Sequence, residues 1–179
     1  MLNMITMAVR EIKLFPDPVL RSKTARVERI DGSLDLLIED MVETMHAAPG
    51  VGLAANQVGV SLQVAVIDLS ARENEEQRHP LIVLINPELL SMEGSVTEEE
   101  GCLSFPEIRE KVVRAAKVRI RAQDEYGKWF EMDGEELLSR AFQHEIDHLD
   151  GIVFLFRMSA LKRNLNLRKI RKMQSEGTW

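Results

Sequence analysis

The sequence predicts an α+β fold: antiparallel or mixed β-sheets around a central helix carrying His-Glu-x-x-His, with a further helix at the C-terminus. Three observations predict it. Leu62–Asp68 and Leu81–Asn86 are short apolar runs rich in branched residues, the composition of strands. Lys117–Gln123 alternates strictly, with Val118, Ile120 and Ala122 against Lys117, Arg119 and Arg121, as a half-buried strand does. Leu137, Ala141, His144 and His148 recur at steps of four, three and four, which places them on one helix face.

The elements follow in chain order. Phe15-Pro16-Asp17-Pro18 interrupts early regular structure, because each proline fixes φ and restricts the residue before it. A helix follows Asp31-Gly32, with Leu34, Leu37, Ile38, Met41 and Met45 on its apolar face, and Pro49-Gly50 ends it. The two apolar strands flank a charged loop, residues 71–80. Glu125–Lys128 is a hairpin turn leading into a strand over Trp129–Met132. Asp133 with Glu136 three residues on has the pattern of a capping box, so the central helix is expected to start there and to stop at Asp150-Gly151. A last helix runs from about Ser159 to Gln174, within a basic segment spanning residues 158–175.

The 179 residues suit one domain, 1–179, with a sizeable core. A net charge of −6 argues against a duplex-binding face, and an aromatic share of 5% against base stacking. The single cysteine, Cys102, excludes an intramolecular disulfide and favours a reducing compartment. The N-terminus lacks the cationic and apolar regions of a signal peptide, and no run approaches the ~18 apolar residues of a spanning helix. A cytoplasmic protein is the expectation.

The HEIDH segment, His144–His148, carries the chemistry. Residues four apart on a helix point the same way, so His144 and His148 can hold one metal ion, with Glu145 placed to act on a water at that ion. The metal lowers the pKa of its water towards ~7. A chance HExxH on a solvated face is the plain alternative. Its position on the apolar face beside Leu137 and Ala141 argues against that. A catalytic site needs a third protein ligand. The segment continues HEIDHLDGIVF, and Phe154 stands where the metzincin pattern has a third histidine. Downstream acids, Asp150 and Glu176, are poorly placed. His46, His79 and Cys102 remain as candidates upstream. Cys102 has two further readings: an ordinary buried thiol, or a nucleophile with His144 as its base.

Three segments together resemble the motifs of the peptide deformylase family: GVGLAANQVGV from Gly50 to Val60, EGCLS from Glu100 to Ser104, and QHEIDH from Gln143 to His148. They stand in that family's order and at similar spacing, and Phe15–Arg21 resembles its N-terminal segment. The resemblance implies removal of the N-formyl group from the N-terminal formyl-methionine of newly synthesised polypeptides, with release of formate. It assigns the metal to Cys102, His144 and His148, acid/base work to Glu145, and the oxyanion to Gln57 and the backbone N–H of Leu103. It implies one divalent metal ion, Fe2+ in cells, with Zn2+, Ni2+ and Co2+ as alternatives. On this reading metal-bound hydroxide attacks the formyl carbon, Glu145 takes the water's proton and hands it to the leaving amine, and the metal, Gln57 and Leu103 stabilise the charge on oxygen.

The same resemblance places substrate-binding residues. Gly50 and Gly52 let backbone approach closely, which suits an extended peptide pairing edge-on. Val51, Leu53, Leu137 and Ala141 are candidates for an apolar methionine pocket, although core packing explains each equally well. Gly52, Glu100, Gly101 and Arg109 complete the substrate-binding set. Arg109 has two readings, contact with substrate backbone or an ion pair with Glu100. Arg140 brings a charge to the pocket rim, where some family members carry aliphatic residues.

Lys162, Arg163, Arg168, Lys169, Arg171 and Lys172 lie in a stretch without an acid from Met158 to Gln174. A solvated face is the plain reading; contact with the ribosome is the other. Deletion after Ser159 is then expected to weaken ribosome association and spare activity on a short peptide. Competing functions are a zincin-type endoprotease, which Phe154 disfavours, and a structural metal module, which needs a fourth ligand from His46 or His79.

Overall fold

In the computed structural model residues 8–72 and 79–179 are described; the extreme N-terminus and most of the expected charged loop fall outside them. The regular elements are α1 (Gly32–Ala47), β1 (Gly52–Ala54), β2 (Val64–Ile67), β3 (Ile82–Glu93), β4 (Val96–Cys102), β5 (Phe105–Arg114), β6 (Lys117–Gln123), β7 (Trp129–Glu135), α2 (Glu136–Leu149) and α3 (Ala160–Ser175). Short 3-10 helices cover Pro18–Arg21, Ala55–Val58 and Phe154–Arg157. One sheet has the order β1-β2-β3-β6-β7, and β4 and β5 form a separate hairpin. Every named pairing is antiparallel; a lone bridge, Ala25 to Leu62, is parallel.

The strand alternation explains how the sheet is covered. Val64, Val66, Val83 and Ile85 pack with Leu34, Leu37, Ile38, Met41 and Met45 of α1. Ala65, Ile67, Ile82 and Leu84 point the other way and pack with Leu138, Ala141 and Phe142 of α2. Because both faces are buried, β2 and the first half of β3 read as continuous apolar runs rather than alternating ones. Asp31 caps α1 by accepting from Ser33 N–H at 3.1 Å. β3 passes through Pro87 at a register shift, where Asn86 has φ 52° and its side chain bonds Val27 and Gln123. A proline in an inner strand is tolerated at such an irregularity.

A third apolar cluster supports the hairpin. Phe105 of β5 stacks on Phe15 at 5.0 Å and meets Phe154 at 5.2 Å and Trp179 at 6.2 Å between ring centroids. Ile170 of α3 joins the same cluster. The C-terminal helix is thus bound to the layer beneath Cys102.

One local expectation fails. Asp133 is not a helix cap. β7 continues to Glu135, Asp133 pairs with Arg119 across the ladder, and the two side chains meet at 3.0 Å. Glu135 takes the cap position without a side-chain hydrogen bond, and Glu136 begins the helix at φ 50°. The ladder and the Arg119 ion pair outweigh the local capping preference. Gly134 is needed at this junction because a Cβ there would lie 2.7 Å from the Phe142 ring. The helix ends at Leu149, with Gly151 at φ 73° just beyond, as Asp150-Gly151 led us to expect.

Candidate metal centre and substrate cleft

Three structural pieces meet at one point. α2 brings His144, Glu145 and His148; the end of β4 brings Cys102; the 3-10 helix after β1 brings Gln57. The N-terminal segment ties the last two together, since Lys13 N–H donates to Gln57 O at 2.7 Å and Phe15 N–H to Ser104 O at 3.0 Å. The end of α2 is held as well. Asn56 Nδ2 donates to His148 O at 2.6 Å, and Thr24 donates to Leu149 O through both its N–H and its hydroxyl. These bonds satisfy carbonyls that a helix end leaves open.

Cys102 Sγ lies 3.2 Å from His148 Nε2, and His148 Nε2 lies 3.2 Å from His144 Nε2. The three ligand atoms all fall within 4.8 Å of one another. Four-coordinate Zn2+ with N ligands near 2.1 Å would set its nitrogens about 3.4 Å apart, close to the spacing found. Both imidazoles turn the same nitrogen to one spot that a thiol also faces. The three residues fit a divalent metal. His46 is excluded as a ligand here: it pairs with Asp68 at 2.8 Å on another part of the surface.

The electrostatics agree. Burial pulls both histidines down. For His144 the hydrogen bonds to Cys102 and Glu100 outweigh burial and raise it well above the usual imidazole value. For His148 burial and the neighbouring positive charges of His144 and Arg114 act together, and it falls well below that value. Burial drives the Glu145 carboxyl up, to about 7, with the His144 charge opposing. Its Oε2 is buried without a hydrogen-bond partner, as is His148 Nδ1. A buried carboxyl with a raised proton affinity and an unused oxygen can exchange a proton with water.

Gln57 is buried, and its amide is oriented: Oε1 accepts from Ala54 N–H at 3.0 Å, so Nε2 faces Ser104 Oγ at 3.1 Å and Cys102 Sγ at 3.6 Å. Leu103 follows Cys102 at the turn of the β4–β5 hairpin. Around this centre lies a cleft of about 500 Å³, lined among others by Val51, Gly52, Gln57, Gly101, Leu103, Arg109, Leu137, Ala141, His144 and Glu145. Leu53 is not among its lining residues. It is fully buried in the α1 core, because β1 alternates and Leu53 faces the opposite side from Gly52 and Ala54. Gly52 lies against Glu145 so closely that a Cβ there would collide with the carboxylate.

Arg109 does not pair with Glu100. Its partner is Glu99, at 2.7 Å. Glu100 is held instead by Arg114, through bonds of 2.7 and 3.0 Å, and lies 3.3 Å from His144 Nδ1. Arg114 also bonds Asp147 at 2.6 Å, and Asp147 bonds Arg157 at 2.6 Å. Sequence reasoning missed Arg114, Asp147 and Arg157. The available signal was in β5, where Arg114 occupies the inward phase set by Val112.

The model of the family described as polypeptide deformylase matches residues 9–164. The chain belongs to the polypeptide deformylase family. A peptide deformylase of Acidobacterium capsulatum is 60% identical over 173 residues, which cover 97% of this chain and 100% of that one. A crystal structure of the peptide deformylase from Legionella pneumophila superposes with a TM-score of 0.85 at 46% identity, covering 95% of this chain and 98% of that one. The enzyme from Synechococcus elongatus, solved in complex with actinonin, gives a TM-score of 0.82 at 40% identity and covers 89% of this chain and 86% of that one. This deformylase is therefore a hydrolase that removes the N-formyl group from formylated nascent polypeptides. The family is metal-dependent, in agreement with the Cys102, His144 and His148 cluster. No helix among the described residues is long and apolar enough to cross a membrane.

Proposed function

We propose that this deformylase works as one catalytic unit in which Cys102, His144 and His148 hold a divalent metal, Fe2+ in the cell, and Glu145 moves the proton. The observation that carries this reading is the convergence of the Cys102 sulfur and the two Nε2 atoms beside a buried carboxyl with a free oxygen. A mixed thiolate and imidazole set suits Fe2+ and Zn2+ alike, and Ni2+ and Co2+ are expected to substitute.

When bound, the metal acts as a Lewis acid towards water and the formyl oxygen. Glu145 accepts the proton of the attacking water and returns it to the amine nitrogen as the C–N bond breaks. A carboxyl whose affinity for protons is raised by burial suits both halves of that transfer. Gln57 Nε2 and the Leu103 N–H donate to the oxygen as negative charge develops on it. Val51, Leu137 and Ala141 receive the methionine side chain, and the peptide lies extended along the cleft that Gly50, Gly52 and Gly101 also line. Glu100, which lines the cleft, also supports His144.

Protein prepared without oxygen and supplied with Fe2+, Ni2+ or Co2+ should release formate from formyl-Met-Ala-Ser, and Glu145→Ala should not. Equal rates in the two proteins would overturn the assignment of Glu145. A casein digest should show no endoprotease activity.

The basic helix α3 is proposed to touch the ribosome, where nascent chains emerge in the cytoplasm. Arg168 and Arg171 are exposed and support this reading. Lys162 is engaged with Glu110, and Lys169 with the Glu107 carbonyl. Deleting the helix, expected from sequence to spare catalysis, is a poor test, because it would strip Ile170 and Trp179 from the cluster beneath Cys102. Reversal of Arg168 and Arg171 to Glu is the better one. It should weaken sedimentation with ribosomes at low salt while formyl-Met-Ala-Ser is still turned over.

A further inference from the structure

The cleft is lined by an arginine, Arg140, that pairs with no carboxylate among the described residues. Arg140 lies four residues before His144 on α2, one helical turn and about 6 Å along the axis, and it lines the cleft beside Leu137 and Ala141. Among the described residues its side chain makes one hydrogen bond, a 3.5 Å contact to the Glu99 carbonyl, at the outer limit for such a bond. The Glu99 carboxylate is already taken by Arg109. Among the described residues no carboxylate forms an ion pair with Arg140, nor with Arg72, which lines the same cleft. Arg72, Arg109 and Arg140 thus share the cleft lining with two exposed glutamates, Glu99 and Glu107, and with the buried Glu100 and Glu145, of which Glu99 is paired with Arg109 and Glu100 with Arg114.

We propose that Arg140, assisted by Arg72, makes this deformylase favour formylated chains with an acidic residue at the first or second position after methionine. The inference rests on the assigned deformylase activity and adds a sequence preference to it. The methionine side chain occupies the apolar part of the cleft, and an extended chain advances about 3.3 Å per residue. One or two residues therefore carry a side chain over the distance that separates His144 from Arg140. A carboxylate there meets a half-buried guanidinium with donors to spare, in a cleft where low-dielectric walls strengthen the contact. A lysine at the same place meets like charge.

The test compares kcat/KM for formyl-Met-Ala-Glu, formyl-Met-Ala-Gln and formyl-Met-Ala-Lys amides, and for formyl-Met-Glu-Ser and formyl-Met-Lys-Ser amides, with the metal-loaded enzyme. Amidated C-termini keep the terminal carboxylate out of the comparison. At low ionic strength the Glu peptide should exceed the Lys peptide by about fivefold in at least one of the two positions, with Gln between. The ratio should fall towards one at about 1 M KCl. Each variant is scored by its own Glu-to-Lys ratio, so a general loss of activity cancels. Arg140→Lys should keep the preference, Arg140→Leu should reduce it, and Arg140→Glu should invert it. A ratio unchanged in Arg140→Glu and Arg140→Leu, or a wild-type preference for Lys, overturns the proposal while leaving the deformylase reading standing. Failure of wild type to release formate from the Gln peptide overturns both.

Discussion

Glu100 Oε2 lies 3.3 Å from His144 Nδ1, and Arg114 holds the same carboxylate by two further hydrogen bonds. The chain of charges runs on through Asp147 to Arg157 at the surface. Ligating histidines are commonly oriented by a carboxylate on the far ring nitrogen, which fixes the tautomer and raises basicity. Here that carboxylate is itself positioned by a buried arginine.

Removing Arg114 should therefore be costly in two ways. Arg114→Leu leaves the buried Glu100 and Asp147 without their shared counter-charge, and losing one partner of a buried pair destabilises by about 3–5 kcal/mol. It also frees Glu100 to turn away from His144. Urea unfolding should show the loss of stability, and dialysis against a chelator should show faster loss of metal. An unfolding midpoint equal to wild type would mean that the buried charges are compensated elsewhere.

Glu100 also sets a pH dependence. Burial raises its carboxyl, but hydrogen bonds from His144 and Arg114 outweigh this and bring it down to about 2. A carboxyl depressed in the folded state contributes stability that is complete above its unfolded value, about 4.3, and is lost as pH falls from there towards 2. The contribution is on the order of 3 kcal/mol, shared with its partners. The stability gap between metal-free wild type and Glu100→Gln should be constant from pH 7 to about 5 and close progressively below. A gap that stayed constant down to pH 3 would show that Glu100 is not depressed.

Metal uptake should release protons. In the metal-free protein the hydrogen bonds to Cys102 and Glu100 outweigh burial and raise His144 well above the ordinary imidazole value, which favours the protonated ring, and a ligating Nε2 must be free of its proton. Affinity for Ni2+ or Co2+ should fall as pH is lowered from about 8 to 6. Calorimetric titrations in buffers of different ionisation enthalpy should report net proton release. Observed heats that are the same in every buffer, with no pH dependence of affinity, would contradict the raised state of His144.

The extent to which the sequence foretold this molecule depended on range. Lys117–Gln123 was legible to the residue because its alternation is a local record of one buried and one exposed face. The helical phase of His144 and His148 likewise placed them side by side. Asp133 misled, because its capping pattern is local whereas the ladder with Arg119 that claims it comes from a strand earlier in the chain. The family resemblance made Leu53 a candidate for the pocket, with core packing the other explanation, and the second holds because β1 sends alternate residues to opposite faces. Arg114 and its carboxylates went unseen for a related reason: whether a buried charge is satisfied depends on partners 14 and 33 residues away, which no local pattern records.

Gly52 offers the most exacting test of the catalytic geometry. It stands in β1 at the edge of the five-stranded sheet, and Glu145 crosses directly over it from α2. A Cβ at position 52 would overlap the Glu145 carboxylate and press on its Cγ at 3.1 Å. β1 is held by pairing with β2, and α2 is packed on the sheet through Phe142, so the side chain of Glu145 is the part that must give way. The proposed metal ligands sit on other positions of α2 and on β4, and the atoms nearest the added methyl all belong to Glu145. Gly52→Ala should therefore keep its metal and most of its stability, yet lose turnover. A displacement of about 1 Å at a reacting group can cost about 100-fold in rate, and a loss of that order in kcat, with metal content near wild type, is the expected result. Wild-type kcat in Gly52→Ala would mean that Glu145 has freedom to act from another position, and its role as the proton carrier would need a different geometry from the one seen here.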